Sequence, residues 1–291
     1  MLAVDIVLTG LIIGGIYALT ALGLTLQYGV ARIMNLSYGE FVVGAALTTH
    51  WLYTVQAVSP LVGLIVIVPL AFALSWLMYQ IVLQPLVRRA TNEGMLEVDS
   101  ILATFGLLFV MQGVALVVFG GHYFSYSYLS IPLSVFGSAL AVNRLIALGF
   151  AAVIGGAIYL ALTRTRAGTA IRAVAVAPAS AELVGIDVRR TSAFAFALGG
   201  ALVAAAGVLV SMFLTFDAAM GVGFTMKALI VVIMGGVGNM LGALIAGLLL
   251  GIGETAVARL VDPGLTLAAT YALFLAVLLI RPTGLFGRPA R

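Results

Sequence analysis

The sequence predicts an all-α, polytopic integral membrane protein of roughly eight or nine spans with broken helices, and three observations predict it. Hydrophobic residues make up 63 % of the 291-residue chain and charged residues only 8 %, against about 25 % charged in soluble domains. Long intervals contain no Asp, Glu, Lys or Arg at all: 6–31, 41–87, 100–143, 145–163, 191–216, 228–253 and 263–280. Within them hydrophobicity runs on continuously, where barrel strands would alternate over about ten residues.

A helical span needs about 20 apolar residues, so most intervals supply one crossing each and the longest divide. Ser59 and Pro60 split the second interval into spans near 41–58 and 61–83. Gly120 and Gly121 end a span that begins at Ile101 and open a segment, 120–141, with no Lys or Arg. Its aromatics Tyr123, Phe124, Tyr126 and Tyr128 suit the headgroup layer on the outer side. The first apolar stretch has no small-residue cleavage site after it and reads as a retained span. The whole of 1–291 is expected to form one transmembrane domain.

The net charge of +4 and pI near 9.6 do not indicate nucleic acid, because the arginines sit in short loops between spans and not in a clustered stripe. They orient the chain. Segment 163–190 holds Arg164, Arg166, Arg172, Arg189 and Arg190; the tail holds Arg281, Arg288 and Arg291; Arg88 and Arg89 follow the third span. The positive-inside rule places all three on the cytoplasmic side, and parity then puts the N-terminus outside. With no cysteine in the chain, disulfides and thiolate metal sites are excluded.

Many of the 34 glycines fall four residues apart, as in Gly10 and Gly14, Gly238 and Gly242, Gly247 and Gly251. Such spacing lets helix backbones approach closely in lipid. Two places interrupt helix inside apolar territory. One is the polar island around Asn35, Ser37, Tyr38, Gly39 and Glu40; the other is Gly235, Gly236, Gly238 and Asn239, too glycine-rich for regular helix. Irregular backbone at membrane depth survives where protein buries it or where it lines a watery cavity. Both breaks are therefore candidates for a translocation path, against the plainer reading of two ordinary turns.

A transporter needs a source of work. The only lysine, Lys227, is followed by Ala228, so no GxxxxGK[ST] phosphate loop exists and the chain carries no nucleotide chemistry of this kind. Coupling to an ion gradient would need acids or histidine deep in spans; Glu40, His50, Asp217 and Glu254 are the candidates, with Arg259 positioned to neutralise Glu254 from the same helix end. The other source is a separate ATPase pushing on a cytoplasmic element. Segment 163–191 suits it: residues 169–176 are alanine-rich, Pro178 stops that helix or opens the next, and Gly185 ends the second. Short helices of this kind fit a partner's groove.

Several motifs together resemble a known family. GLIIGGIYALTALGLTL (10–26), QYGV (27–30), MNLSYGEF (34–41), TRTRAG (163–168), IRAVA (171–175), AELVGI (181–186), GGVGNMLGA (235–243) and RPTGLFG (281–287) resemble, in order and over essentially the whole length, the LivH-type permease of branched-chain amino-acid ABC importers. The resemblance implies a multi-pass protein of a bacterial-type cytoplasmic (inner) membrane. It also implies a second related permease subunit, two ATPase subunits that bind ATP and Mg, and an extracytoplasmic substrate-binding protein. The ATPase-coupling segment would comprise Arg164, Arg166, Gly168, Arg172, Ala173, Ala181, Glu182, Leu183 and Gly185. Two departures stand out: Tyr38 occupies a position where the family usually has His, and no acidic residue lies beside Pro178 where the family usually has one. Urea or short-amide importers share the opening and loop motifs and form the alternative substrate class; an ion-coupled secondary transporter is the alternative in kind.

Overall fold

The computed structural model describes residues 2–90, 92–135 and 138–287; Arg288 and Arg291 of the tail lie outside them. In chain order the helices are α1 (Leu2–Ala31), α2 (Tyr38–Gln56), α3 (Pro60–Met78), α4 (Gln84–Arg89), α5 (Glu93–Phe119), α6 (Val142–Arg164), α7 (Arg166–Val176), α8 (Pro178–Leu183), α9 (Val188–Ser211), α10 (Gly221–Gly235), α11 (Met240–Leu260) and α12 (Thr266–Ile280). A π turn, Tyr79–Leu83, joins α3 to α4 so that the two form one crossing. Between α5 and α6 lies a two-stranded antiparallel hairpin, β1 (Pro132–Val135) and β2 (Ser138–Ala141).

Seven of these helices, counting α3 with α4 as one, are long and apolar enough to cross a membrane. The count of eight or nine follows once the shorter α10 and the less apolar α2, which carries Glu40 and His50, are added. The polytopic helical class read from composition is the class observed.

Alanine and glycine content decides which helix takes the centre. In α9, 89 % of the most apolar stretch is buried, against 6 % in the crossing that contains α12. The α9 run Ala201 to Val210 is built from Ala, Gly, Val and Leu, small enough for α1, α2 and α3 to close around it. Helix α12 and α5 present large apolar side chains such as Leu279, Val117 and Phe109 outward, as a lipid-facing surface does.

The glycine pairs predicted to pack do so between α1 and α11. A Cβ on Gly14 would lie 2.8 Å from Leu248 Cα, and one on Gly10 would lie 2.6 Å from Ile252 Cα; Gly251 in turn abuts Gly14, and Gly247 abuts Ala18. These are backbone-to-backbone contacts that no side chain would permit. Gly238 has a different reason: its φ of 78° places it in the left-handed region, in the turn before α11.

Most of the arginines collect at one end of the bundle; Arg144 and Arg259 lie at the other. Arg32, just past α1, reaches the Ala175 carbonyl of α7 at 3.5 Å, Gly29 meets Gly238, and the tail segment containing Phe286 pairs with Gly235. The opposite end holds the hairpin, the Asp5–Arg259 ion pair at 3.1 Å and the start of α1. An external N-terminus follows if the arginine-rich end is cytoplasmic.

Candidate functional site

The first break turns the chain back into the bundle. Residues 32–37 are non-helical, and α2 begins deep inside, where the Tyr38 hydroxyl donates to the Thr20 carbonyl of α1 at 2.7 Å. Gln27, Asn35 and Ser37 complete one another: Asn35 Nδ2 donates to Gln27 Oε1 at 3.1 Å, Ser37 Oγ donates to Asn35 Oδ1 at 2.7 Å, and Gln27 Nε2 donates to the Phe196 carbonyl of α9 at 3.0 Å. All four side chains are fully buried. Backbone groups freed by the missing helical turn are satisfied by other side chains, with Met34 N donating to Ser100 Oγ at 3.3 Å, Leu36 N to Thr104 Oγ1 at 3.0 Å and Ser37 N to Asn35 Oδ1 at 3.1 Å, the condition for irregular backbone at this depth.

A further interruption, which begins inside the charge-free interval 191–216 and runs past Asp217, faces the first. Residues 212–220 are non-helical and α10 starts at Gly221, directly against Gly39 at the start of α2; a Cβ on Gly39 would collide with the Gly221 carbonyl. Thr225 staples the two helix starts together, its Oγ1 accepting from Gly39 N at 2.8 Å and donating to the Leu36 carbonyl at 3.1 Å. Glu40 sits at this junction, 3 % exposed, with Oε1 lacking a hydrogen-bond partner among the described residues. Its carboxyl faces two helix N-termini, where the backbone dipoles favour an anion.

Gly235, the last residue of α10, and Gly236, Gly238 and Asn239 in the turn to α11 lie elsewhere, at the arginine-rich end. Gly236 and Gly238 have positive φ, 99° and 78°. Asn239 Oδ1 caps α11 by accepting from Gly242 N at 3.0 Å, and its Nδ2 donates to the Phe286 carbonyl at 3.0 Å. Leu285 N and Phe286 N donate to the carbonyls of Met234 and Gly235. The structure therefore joins this turn to the tail motif 281–287, and does not bring it to the 35–40 group.

The arginine-flanked segment is a pair of short helices. Thr165 caps α7, accepting from Gly168 N at 3.1 Å, and Gly168 packs against the backbone of Leu162 with no room for a Cβ. Ile171 and Val174 of α7 and Ala181 of α8 are buried against the bundle. Pro178 opens α8, Gly185 takes a φ of 80° just after it, and Asp187 caps α9. Arg164 ends α6 just before this element, and Arg166, Arg172, Ala173 and Glu182 lie on it, with Arg172 near Thr163 and Thr169 at 3.5 Å. Leu183 is 88 % exposed and Val176 and Val184 each 75 %, an apolar edge in which α7 buries one face and leaves another free.

A charged group at mid-bundle escaped the sequence reading. Lys227 of α10 donates to Glu254 Oε2 of α11 at 3.0 Å and to the Tyr17 hydroxyl of α1 at 2.5 Å. Tyr17 donates to the same Glu254 oxygen at 2.7 Å, and Thr270 of α12 donates to Oε1. The Lys227 ammonium also lies 4.7 Å from the centre of the Tyr17 ring. Glu254 is thus neutralised by Lys227; Arg259, the partner expected for it, pairs with Asp5. The available signal was the lysine itself, a lone cation in an apolar stretch, which in a membrane marks function or pairing.

Lys227 and Tyr17 border a cavity of about 340 Å³. Ile13, Ile16, Val210, Phe213, Phe216 and Phe224 supply its apolar wall. Residues 213–215 also border a second cavity of about 230 Å³ with a polar lining that includes Ser127, Asn143 and Arg144. Here the outer segment packs on protein: Tyr126 pairs with Ser211 at 2.8 Å, and burial pushes its hydroxyl pKa up to about 12. Phe124 and Phe216 exchange backbone hydrogen bonds of 2.7 and 3.0 Å, while Tyr123 alone of the four expected interfacial aromatics is strongly exposed.

A family model described as the permease component of branched-chain amino acid transport systems matches residues 6–281. The chain belongs to that family. The high-affinity branched-chain amino acid transport system permease protein LivH of Salmonella typhimurium is 29 % identical over 96 % of this chain and 94 % of its own. BraD of Pseudomonas aeruginosa, a permease protein of a system of the same description, is 27 % identical over 96 % and 94 %. A probable branched-chain amino acid transport permease protein of Methanocaldococcus jannaschii is 27 % identical over 97 % and 92 %. Among solved structures, a chain of PsaBC from Streptococcus pneumoniae in complex with Fab matches with a TM-score of 0.51 at 13 % identity, covering 97 % of this permease and 92 % of that chain. That likeness is one of fold. Family and spans together make this permease a multi-pass membrane protein.

Proposed function

We propose that this chain is the membrane-spanning subunit of an ATP-binding-cassette importer for branched-chain or other hydrophobic amino acids. The observation that carries the proposal is the family match over residues 6–281. The full-length relatives are described for branched-chain amino acids, which favours that class over urea or short amides. In this reading a second, related permease completes the path, two ATPase subunits hold ATP and Mg, and an extracytoplasmic binding protein delivers the solute. The membrane is the bacterial-type cytoplasmic one, with the arginine-rich end inside.

The chain does no covalent chemistry in this role. Helices α7 and α8 receive the movement of the ATPase pair through their exposed edge at Val176, Leu183 and Val184, and ATP supplies the free energy by favouring one of two packings. In this reading the 35–40 and 235–239 breaks border the path; Asn35, Ser37, Tyr38, Gly39 and Glu40 are buried in the present state, whereas Val237 and Gly238 are exposed at the arginine-rich end. Buried Glu254 is engaged by Lys227, Tyr17 and Thr270, which argues against its serving as a freely titrating carrier of ions.

Purification of the chain with its native membrane partners tests the proposal. Two ATPase polypeptides are expected to accompany it, and vesicles holding the assembly are expected to take up leucine only with ATP. Gly185→Trp, which forces a bulky residue into the left-handed region at about 1–2 kcal/mol, is expected to lower uptake per ATP hydrolysed. Leucine uptake by this chain without any second polypeptide would overturn the proposal.

A further inference from the structure

We propose that the apolar cavity beside Lys227 is the permease's own site for the solute, in which the Lys227 ammonium holds the carboxylate of an aliphatic amino acid. The inference rests on the amino-acid reading given above and names where, within this chain, that solute is held. Three observations carry it. The first is hydrogen-bond arithmetic. An ammonium has three donors; Tyr17 and Glu254 take two, and the third has no protein acceptor among the described residues. The Lys227 side chain is 24 % exposed, unlike Glu254 behind it at 7 %, and it borders the cavity. A donor left free at mid-bundle is a polar group awaiting an acceptor.

The second observation is shape and chemistry. The cavity volume of about 340 Å³ falls at the lower end of the range for small-molecule sites, about 300–1,000 Å³. Its wall of Ile13, Ile16, Val210, Phe213 and Phe224 matches a branched aliphatic side chain, a part that urea lacks. A lone cation against an apolar wall selects a ligand with one acidic end and one greasy end. In this proposal the solute's ammonium lies towards Leu214 and Thr215, residues that border the cavity and belong to no helix or strand.

The third is continuity. Residues 213–215 form a wall shared with the outer polar cavity, where Arg144 offers a second cation. Arg144 stands 5.9 Å over the Phe213 ring, so in this proposal a carboxylate leaving the outer cavity passes from one cation to the next past residues that border both cavities. Glu254 is a positioning residue: it fixes Lys227 from behind and competes with the incoming carboxylate, which keeps the hold weak enough for release.

The test uses the assembled transporter in lipid nanodiscs, with radiolabelled leucine and with leucinol, which keeps the side chain and amine but lacks the carboxylate. Wild type is expected to prefer leucine to leucinol by about tenfold or more, the value of a charge-assisted hydrogen bond. The charge-neutral double variant Lys227→Met/Glu254→Gln is expected to lose that preference. A pair that merely held helices together would leave the preference intact in the folded fraction, and that result would overturn the proposal.

Gly223→Leu tests the cavity without touching the charges. Gly223 borders the cavity and a Cβ there meets nothing within 4 Å, so the variant is expected to fold. It should weaken leucine binding about tenfold while sparing alanine; Gly106→Leu on α5, where an added Cβ likewise meets nothing within 4 Å, should change neither. Equal leucine binding by wild type and Gly223→Leu overturns the cavity assignment alone. If the wild-type assembly with its binding protein fails to move leucine in vesicles, the amino-acid reading falls, and this assignment with it.

Discussion

Two buried polar groups lie at mid-bundle, and their difference separates scaffold from site. Gln27, Asn35, Ser37 and Tyr38 are neutral, come largely from one stretch of chain, and spend their hydrogen bonds on each other and on the carbonyls of Thr20 and Phe196. Tyr17, Lys227, Glu254 and Thr270 are brought together from four helices, carry two formal charges, and leave one ammonium donor facing a cavity. The first group closes a gap left by a broken helix. The second is closed on one side only, as a binding group must be.

Single substitutions sharpen that contrast, and the largest effect belongs to the charged group. Lys227→Met alone leaves Glu254 buried and uncompensated, a loss of about 3–5 kcal/mol. A large fall in thermal unfolding midpoint in detergent is expected, with part of it restored when Glu254→Gln is added. If Lys227→Met were as stable as wild type, the pair would not be buried as a pair.

The neutral group should give less. Asn35→Ala removes the acceptor for Ser37 and leaves the Gln27 amide oxygen without its donor, a cost of about 1–3 kcal/mol. Its signature is faster amide exchange at residues 32–40 with the preference for leucine over leucinol unchanged. A change in that preference would erase the distinction between the groups.

Smallest is the turn at the arginine-rich end. Asn239→Ala removes the cap of α11 and the hold on Phe286, worth about 1 kcal/mol. Earlier proteolysis within 281–287 is expected, because the tail segment is held there by Asn239, Met234 and Gly235. No change in solute binding should accompany it.

Much of the local structure could be read in the chain because it depends on local chemistry. Thr165, Asp187 and Asn239 act as helix caps where their residue types allow it, and Pro178 and Gly185 bracket α8 as the spacing anticipates. The 35–40 island is non-helical up to Ser37 for the reason its polar residues suggest. What escaped was α10. Its start at Gly221 falls outside every charge-free interval, since Asp217 and Lys227 interrupt the apolar run, and nothing nearby in sequence shows that Lys227 is neutralised.

Composition and charge spacing, by themselves, determined the helical class, the approximate number of spans, the arginine-rich face and the amphipathic pair α7 and α8. These follow from the transfer of each segment into lipid, a property of the segment alone. Only the tertiary structure decided that Lys227 meets Glu254 and Tyr17, that Arg259 goes instead to Asp5, and that Gly39 abuts Gly221. Pairing in a low-dielectric interior depends on which helices the glycine faces bring into contact, and charges far apart in sequence become partners only when that packing is complete.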